Sequence, residues 1–155
     1  MKIIIAGAGD VGFHLAKLLS YESQDTYIID FDGERLNYIN NHLENYNVIV
    51  IGDLNDDLAD EENINVFQNF INDSTNYKFV DMEIAYGSDT NFSKPDYPSH
   101  LDHILITNEL FDEFKNPGSK VETIHIENYF DGGWNEYENF VSDHRPVGLS
   151  LNFNP

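Results

Sequence analysis

The chain contains no cysteine. That absence excludes disulfide frameworks, thiolate zinc sites and cysteine nucleophiles together. Positive charge is scarce: eight Lys and Arg stand against 28 Asp and Glu, a formal net charge of −20. A broad basic surface for nucleic acid is therefore excluded, because neutralising a phosphate backbone takes clustered cations. Phosphate chemistry itself survives the objection, since a divalent cation supplies positive charge locally. Long hydrophobic runs are also missing. The first, Ile3-Ile4-Ile5-Ala6, is too short for a membrane span or for the apolar region of a signal peptide, which makes a cytoplasmic location the expectation.

What is present suffices for a core. The chain has 155 residues, 41% hydrophobic and 14% aromatic, which fits one domain or two halves sharing a core. Residues 2–6 form a β-branched run ending at Gly7-Ala8-Gly9-Asp10-Val11-Gly12, and Val11, Leu15, Leu18 and Leu19 follow with helical spacing. A second run, Tyr27-Ile28-Ile29, closes on Asp30, and Leu36, Ile39 and Leu43 predict another helix over 33–43. The third run, Val48 to Ile51, ends at Gly52-Asp53. This β-α-β-α-β alternation predicts a parallel sheet with right-handed crossovers. Further on, a short helix is expected at Val66 to Ile71 and strands at 77–81, 104–106, 121–126 and 147–151.

Gly7, Gly9 and Gly12 spell G-x-G-x-x-G between a strand and a helix, with Asp30 closing the next strand. In that context Gly7 permits the tight turn, Gly9 lets a pyrophosphate approach the backbone and Gly12 lets helix and strand pack closely. Asp30 is placed for a ribose hydroxyl. The alternative is that these glycines serve only turning and packing. Residues 1–43, with His14-Leu15-Ala16, Ile29-Asp30 and Glu34-Arg35-Leu36, resemble the NAD-binding domains of Trk-type (RCK) potassium-uptake systems. The resemblance implies a dinucleotide or nucleotide regulatory site with NAD as cofactor, its second half missing.

Three short motifs carry chemistry in the remainder: Gly52-Asp53-Leu54-Asn55, Ser99-His100-Leu101-Asp102-His103-Ile104 and Ser142-Asp143-His144-Arg145-Pro146. Each places Asp, Asn or His at the mouth of an apolar strand. Alone, each is more often a turn or a cap. In this order, residues 44–155 resemble the C-terminal half of the endonuclease/exonuclease/phosphatase family. By that resemblance Asp53 would orient the attacking water and Asn55 would hold the phosphate or that water. Asp102 would brace His144, His144 would stabilise the phosphorane, and Asp143 would bind Mg²⁺ or Mn²⁺. His100 and His103 flank the motif and are expected in packing or hydrogen bonding. The family's Gln-Glu metal ligand is absent, because neither Gln24 nor Gln68 is followed by Glu.

The expected fold is α/β: a Rossmann-like β-α-β-α-β running into a mixed sheet that resembles half of a two-sheet α/β sandwich. The chain reads as a chimera, 1–43 nucleotide-binding and 44–155 phosphoesterase-like, joined between Leu43 and Asn47 on one shared core. The first functional expectation is a divalent-metal phosphoesterase, incomplete and weak or inactive, acting on a small phosphoester or a nucleic-acid phosphodiester. The alternative is a NAD- or nucleotide-binding regulatory module of a Trk-type system. Loss of half the sandwich would uncover apolar surface, so self-association is expected.

Overall fold

The computed structural model describes residues 2–6, 9–21, 25–30 and 47–154. The N-terminal run forms β1 (Lys2–Ala6), followed by helix α1 (Asp10–Tyr21) and β2 (Asp25–Asp30). With β3 (Asn47–Asp53) these strands lie parallel, Ile5 opposite Ile28 and Ile28 opposite Val48. Parallel neighbours require a crossover, and α1 supplies the first. The helix expected at 33–43, the turn residue Gly7 and the join between Leu43 and Asn47 fall on or reach into stretches outside the described residues.

Beyond β3 come α2 (Gln68–Asn72), β4 (Tyr77–Phe79), α3 (Met82–Ala85), β5 (Asp102–Thr107), α4 (Phe111–Lys115), β6 (Lys120–Thr123), α5 (Gly133–Phe140) and β7 (Val147–Ser150). The strands form a five-stranded sheet in the order β1-β2-β3-β5-β4 and a two-stranded sheet of β6 and β7. β5 runs antiparallel to both β3 and β4, so the larger sheet is mixed. The fold is accordingly mixed α/β.

The period of two along each strand sends side chains to opposite faces, and both faces are covered. On one face Ile5, Ile28, Val48, Val50, Leu105 and Phe79 form a core with Ala16, Leu58 and Phe67, against which Phe13 and Leu19 of α1 pack. On the other, Val80, Ile104 and Ile106 meet Leu110, Phe114 and the Val121, Val147 and Leu149 side chains of the small sheet. β5 lies between the two layers, and residues 103–107 are all buried. A continuous apolar run such as Ile104-Leu105-Ile106 is what two-sided burial demands.

Several boundaries shift for local reasons. The strand expected over 121–126 ends at Thr123 because the next ladder position faces Pro146, which has no N–H to donate. Ile124 N–H still donates to the Pro146 carbonyl at 2.8 Å, after which the chain turns into a 3₁₀ segment at Ile126–Tyr129. The strand expected over 77–81 stops at Phe79, since the Asp81 carbonyl accepts the first bonds of α3 from Ile84 and Ala85. Helix α5 has no counterpart in the periodicity analysis: Tyr137 is its one buried residue, while Phe140 faces solvent. Tyr137 is held by ring contacts with Phe130 and Trp134 and by its hydroxyl, which donates to the His144 carbonyl at 3.1 Å.

Candidate functional site

The parallel strands β1, β2 and β3 end at one side of the sheet, and both groups of candidate residues lie there. At the end of β1, Gly9 precedes α1 and its carbonyl accepts the first helical bond, from Phe13 N–H at 2.8 Å. Gly9 is therefore the N-cap residue. The N–H groups of Asp10, Val11 and Gly12 begin the helix and have no carbonyl within it to reach. Together with the helix dipole they make a site that favours an anion. Asp30 ends β2, one residue past the Ala6–Ile29 pair, so its backbone lies beside the end of β1. Asp10, exposed in the first turn, adds a negative charge to the same end.

No strand pairs with the outer side of β1 among the described residues. In a complete doubly wound fold a strand on that side creates the crevice that holds the second nucleotide. The described residues thus present one mononucleotide half.

At the end of β3, Asp53 is paired across the antiparallel ladder with Asp102 of β5. Directly opposed residues point to the same face, so the two carboxylates are neighbours. Asp53 accepts the Asn55 N–H at 3.0 Å in an Asx turn, and Asn55 adopts a left-handed conformation with φ of 55°. His144 Nδ1 lies 2.7 Å from Asp102 Oδ2, each side chain 18% exposed. The loop carrying His144 is positioned by Ser142 Oγ, which accepts the His144 N–H at 3.0 Å, and by Arg145 N–H, which donates to the Ser93 carbonyl at 2.7 Å. Buried Ser93 in turn accepts from the backbone N–H groups of Leu101 and Asp102. Asp53, Asn55, Asp102 and His144 are therefore brought to one end of the sheet. The exposed Asp143 carboxylate is ion-paired with Lys94, whose ammonium pulls it below the usual carboxylate range.

A second cluster, Asp81, His100 and His103, is fully buried. His103 Nε2 lies 2.8 Å from the Asp56 carbonyl, which can only accept, so this nitrogen carries a proton. His103 Nδ1 lies 2.6 Å from Asp81 Oδ2, and two bare acceptors would repel at that distance. A proton sits between them. Burial opposes charge on both groups. Hydrogen bonding and the neighbouring charge prevail, raising the His103 pKa and lowering that of Asp81, which makes the pair imidazolium and carboxylate. Asp81 Oδ1 also accepts the Ile104 N–H at 2.9 Å. His100 Nδ1 accepts the Ser93 N–H at 3.3 Å, and its Nε2 stands 3.2 Å from Asp81 Oδ2 with poor hydrogen-bond geometry.

The donor atoms of this cluster lie within 4.8 Å of one another, close enough to consider a metal ion. The protons argue otherwise. His100 has spent its Nδ1 lone pair on Ser93, so its neutral ring carries hydrogen on Nε2, and His103 is protonated on both nitrogens. A metal would have to displace both protons facing Asp81 and leave His100 as an imidazolate. Nitrogen-rich ligation also suits neither Mg²⁺ nor Mn²⁺. Asp81 and Lys94 escaped the sequence analysis. The only signal for Asp81 was an acid directly after the apolar pair Phe79-Val80, and nothing local marked Lys94.

A further charged group links the loops: Arg145 Nε donates to Glu127 Oε1 at 2.7 Å, and its guanidinium lies 5.3 Å from the Trp134 ring centroid. Glu127 is buried, which works to raise its pKa, but its own backbone N–H, His125 and Arg145 bring it below the usual value.

Among comparisons with known proteins, a family model described as the TrkA-N domain matches residues 3–85. No curated protein and no solved structure matches the chain. The match runs past residue 43 and takes in Asp53 and Asn55, and it supports a nucleotide-binding domain rather than a segment of the endonuclease/exonuclease/phosphatase type. The expectation of a metal-dependent phosphoesterase is thereby overturned, and Mg²⁺ or Mn²⁺ and a phosphoester substrate lose their support with it. The physical reason is that each motif has a structural employment. Asp53 forms an Asx turn, Asp102 a ladder and a loop anchor, and Asp143 a surface ion pair. No helix among the described residues is long and apolar enough to cross a membrane.

Proposed function

The chain belongs to the TrkA-N domain family, and from that premise we propose that it is a nucleotide-binding regulatory module, as its resemblance to Trk-type potassium-uptake systems implies. The ligand is the ADP half of a dinucleotide of the NAD class. Its phosphate accepts from the N–H groups of Asp10, Val11 and Gly12, and the Gly9 position, bare of a side chain, admits the close approach. Asp30 receives a ribose hydroxyl. The observation that carries this reading is the direct succession of β1, the Gly9 cap and α1, with β2 parallel alongside.

Affinity is expected to be modest, with a Kd of roughly 10 μM to 1 mM, about −7 to −4 kcal/mol. The second nucleotide half has no crevice among the described residues, and Asp10 opposes the phosphate. Calorimetry with ADP-ribose, NAD and AMP tests the reading. ADP-ribose should bind about as well as NAD, Gly9→Val should abolish binding, and Asp30→Ala should erase the preference for AMP over its 2′-deoxy analogue. Binding that survives Gly9→Val would place the nucleotide elsewhere and overturn the assignment.

A further inference from the structure

β4 closes the five-stranded sheet, and a half-open cavity of about 620 Å³ lies beside it. The ladder with β5 shows which backbone groups face the opening. Val80 N–H donates to the Ile104 carbonyl at 2.9 Å, Asn108 N–H donates to the Asn76 carbonyl at 3.0 Å, and Lys78 stands opposite Ile106. Residues 76, 78 and 80 thus turn their backbone toward β5, and the alternation of the ladder turns the N–H and C=O of Phe79 outward.

The cavity straddles this edge. Phe70 and Phe79 line it from the core beneath α1, and Phe114 and Val121 line it from the core beneath the small sheet. An added strand has the matching form, because its side chains alternate between the two faces while its backbone pairs with the open edge. Charge narrows the choice of partner. Lys78 and Lys120 border the cavity against one acid, Glu83. Lys120 is paired with Glu122 at 2.5 Å, whereas Lys78 has no carboxylate partner among the described residues and holds its ammonium 5.5 Å from the Phe114 ring centroid. In a chain of net charge −20, an unpaired lysine over an aromatic wall is a local exception that favours a carboxylate.

We propose that the open edge of β4 takes an extended peptide of a partner protein as an added strand, with apolar side chains filling the cavity on both faces of the sheet and a carboxylate meeting Lys78. The site is separate from the Gly9 turn and does not rest on the nucleotide reading.

Fluorescence anisotropy on the full chain tests it with labelled acetyl-Val-Ile-Glu-Ile-Val-amide, its Val-Ile-Lys-Ile-Val counterpart, and a form N-methylated at all three inner residues, which removes the bond to Phe79 for either strand direction. The glutamate peptide should bind about tenfold tighter than the lysine peptide, although the net charge of the chain favours the reverse. N-methylation should weaken binding about tenfold by removing a ladder bond. Lys78→Glu should invert the preference, and Lys115→Glu should leave it unchanged. Equal or tighter binding of the lysine peptide, or indifference to N-methylation, overturns the proposal. Displacement by decanoate at matching affinity would assign the cavity to a small amphipathic anion instead, and a homodimer dissolved by Lys78→Glu would assign the edge to a second copy. Either result overturns it as well.

Discussion

His103 Nδ1 lies 2.6 Å from Asp81 Oδ2, with both side chains completely buried. This pair ties β5 to the start of α3 and, through His103 Nε2 on the Asp56 carbonyl, to the loop after β3. Removing one partner of a buried ion pair leaves an uncompensated charge, so Asp81→Ala should cost about 3–5 kcal/mol. Urea denaturation measures it. A loss below about 1 kcal/mol would show that the imidazole is not held as an imidazolium.

The same pair sets a pH window. His103 titrates above the ordinary imidazole value of about 6.5, so its contribution is complete below that pH and is lost as pH rises through the higher folded value. Asp81 titrates below the ordinary carboxylate value of about 3.9, so its contribution is present above that pH and is lost as pH falls through the lower folded value. The part of stability due to this pair should be flat between about pH 4 and 6.5 and fall on either side. Urea midpoints across the range, with the His103 ring resonance followed by NMR, check both limbs. A His103 midpoint below 6.5 would reverse the alkaline limb.

The Arg145 side chain serves four partners at once. Besides Glu127 and the Trp134 face, its Nη1 donates to the Thr90 carbonyl at 2.9 Å and, at longer range, to that of Phe92. Lysine keeps the charge but lacks the planar fork. Arg145→Lys is therefore expected to cost nearly as much as Arg145→Ala, about 1.5–3 kcal/mol for hydrogen bonds to a charged group. Thermal melts of both variants decide it, and full rescue by lysine would reduce the role of Arg145 to charge alone.

Helix α1 bears Val11, Leu15 and Leu18, 83%, 45% and 64% exposed, at positions i, i+4 and i+7 along one flank. Such a stripe suits a twofold contact between identical helices. Sedimentation equilibrium should show a concentration-dependent dimer, and Leu18→Lys should shift it to monomer. A wild-type chain that stays monomeric would remove self-association from the account.

Local chemistry accounts for the N-terminal unit. The β-branched run 2–6, the apolar spacing of α1 and the glycine that caps it are each decided within a few residues, which is why β1, α1 and β2 were legible and why the Gly9 turn could be found. The run 104–106 announced a buried strand for the same reason. Its partners were another matter. That β5 lies antiparallel between β3 and β4, setting Asp102 across from Asp53, depends on pairing between residues about 25 to 57 positions apart, which no local pattern encodes. The motifs around Asp53, Asp102 and His144 misled because Asp, Asn and His at strand ends serve turns and anchors as readily as catalysis. Lys94 neutralises Asp143 from a distant loop, Asp81 reaches into the core between two histidines, and Pro146 ends β6 from the opposite strand. Each of these outcomes rests on burial and on partners brought together by folding. Hydrogen-bond demand and desolvation act on what is near in space, whereas propensity and periodicity act on what is near in the chain.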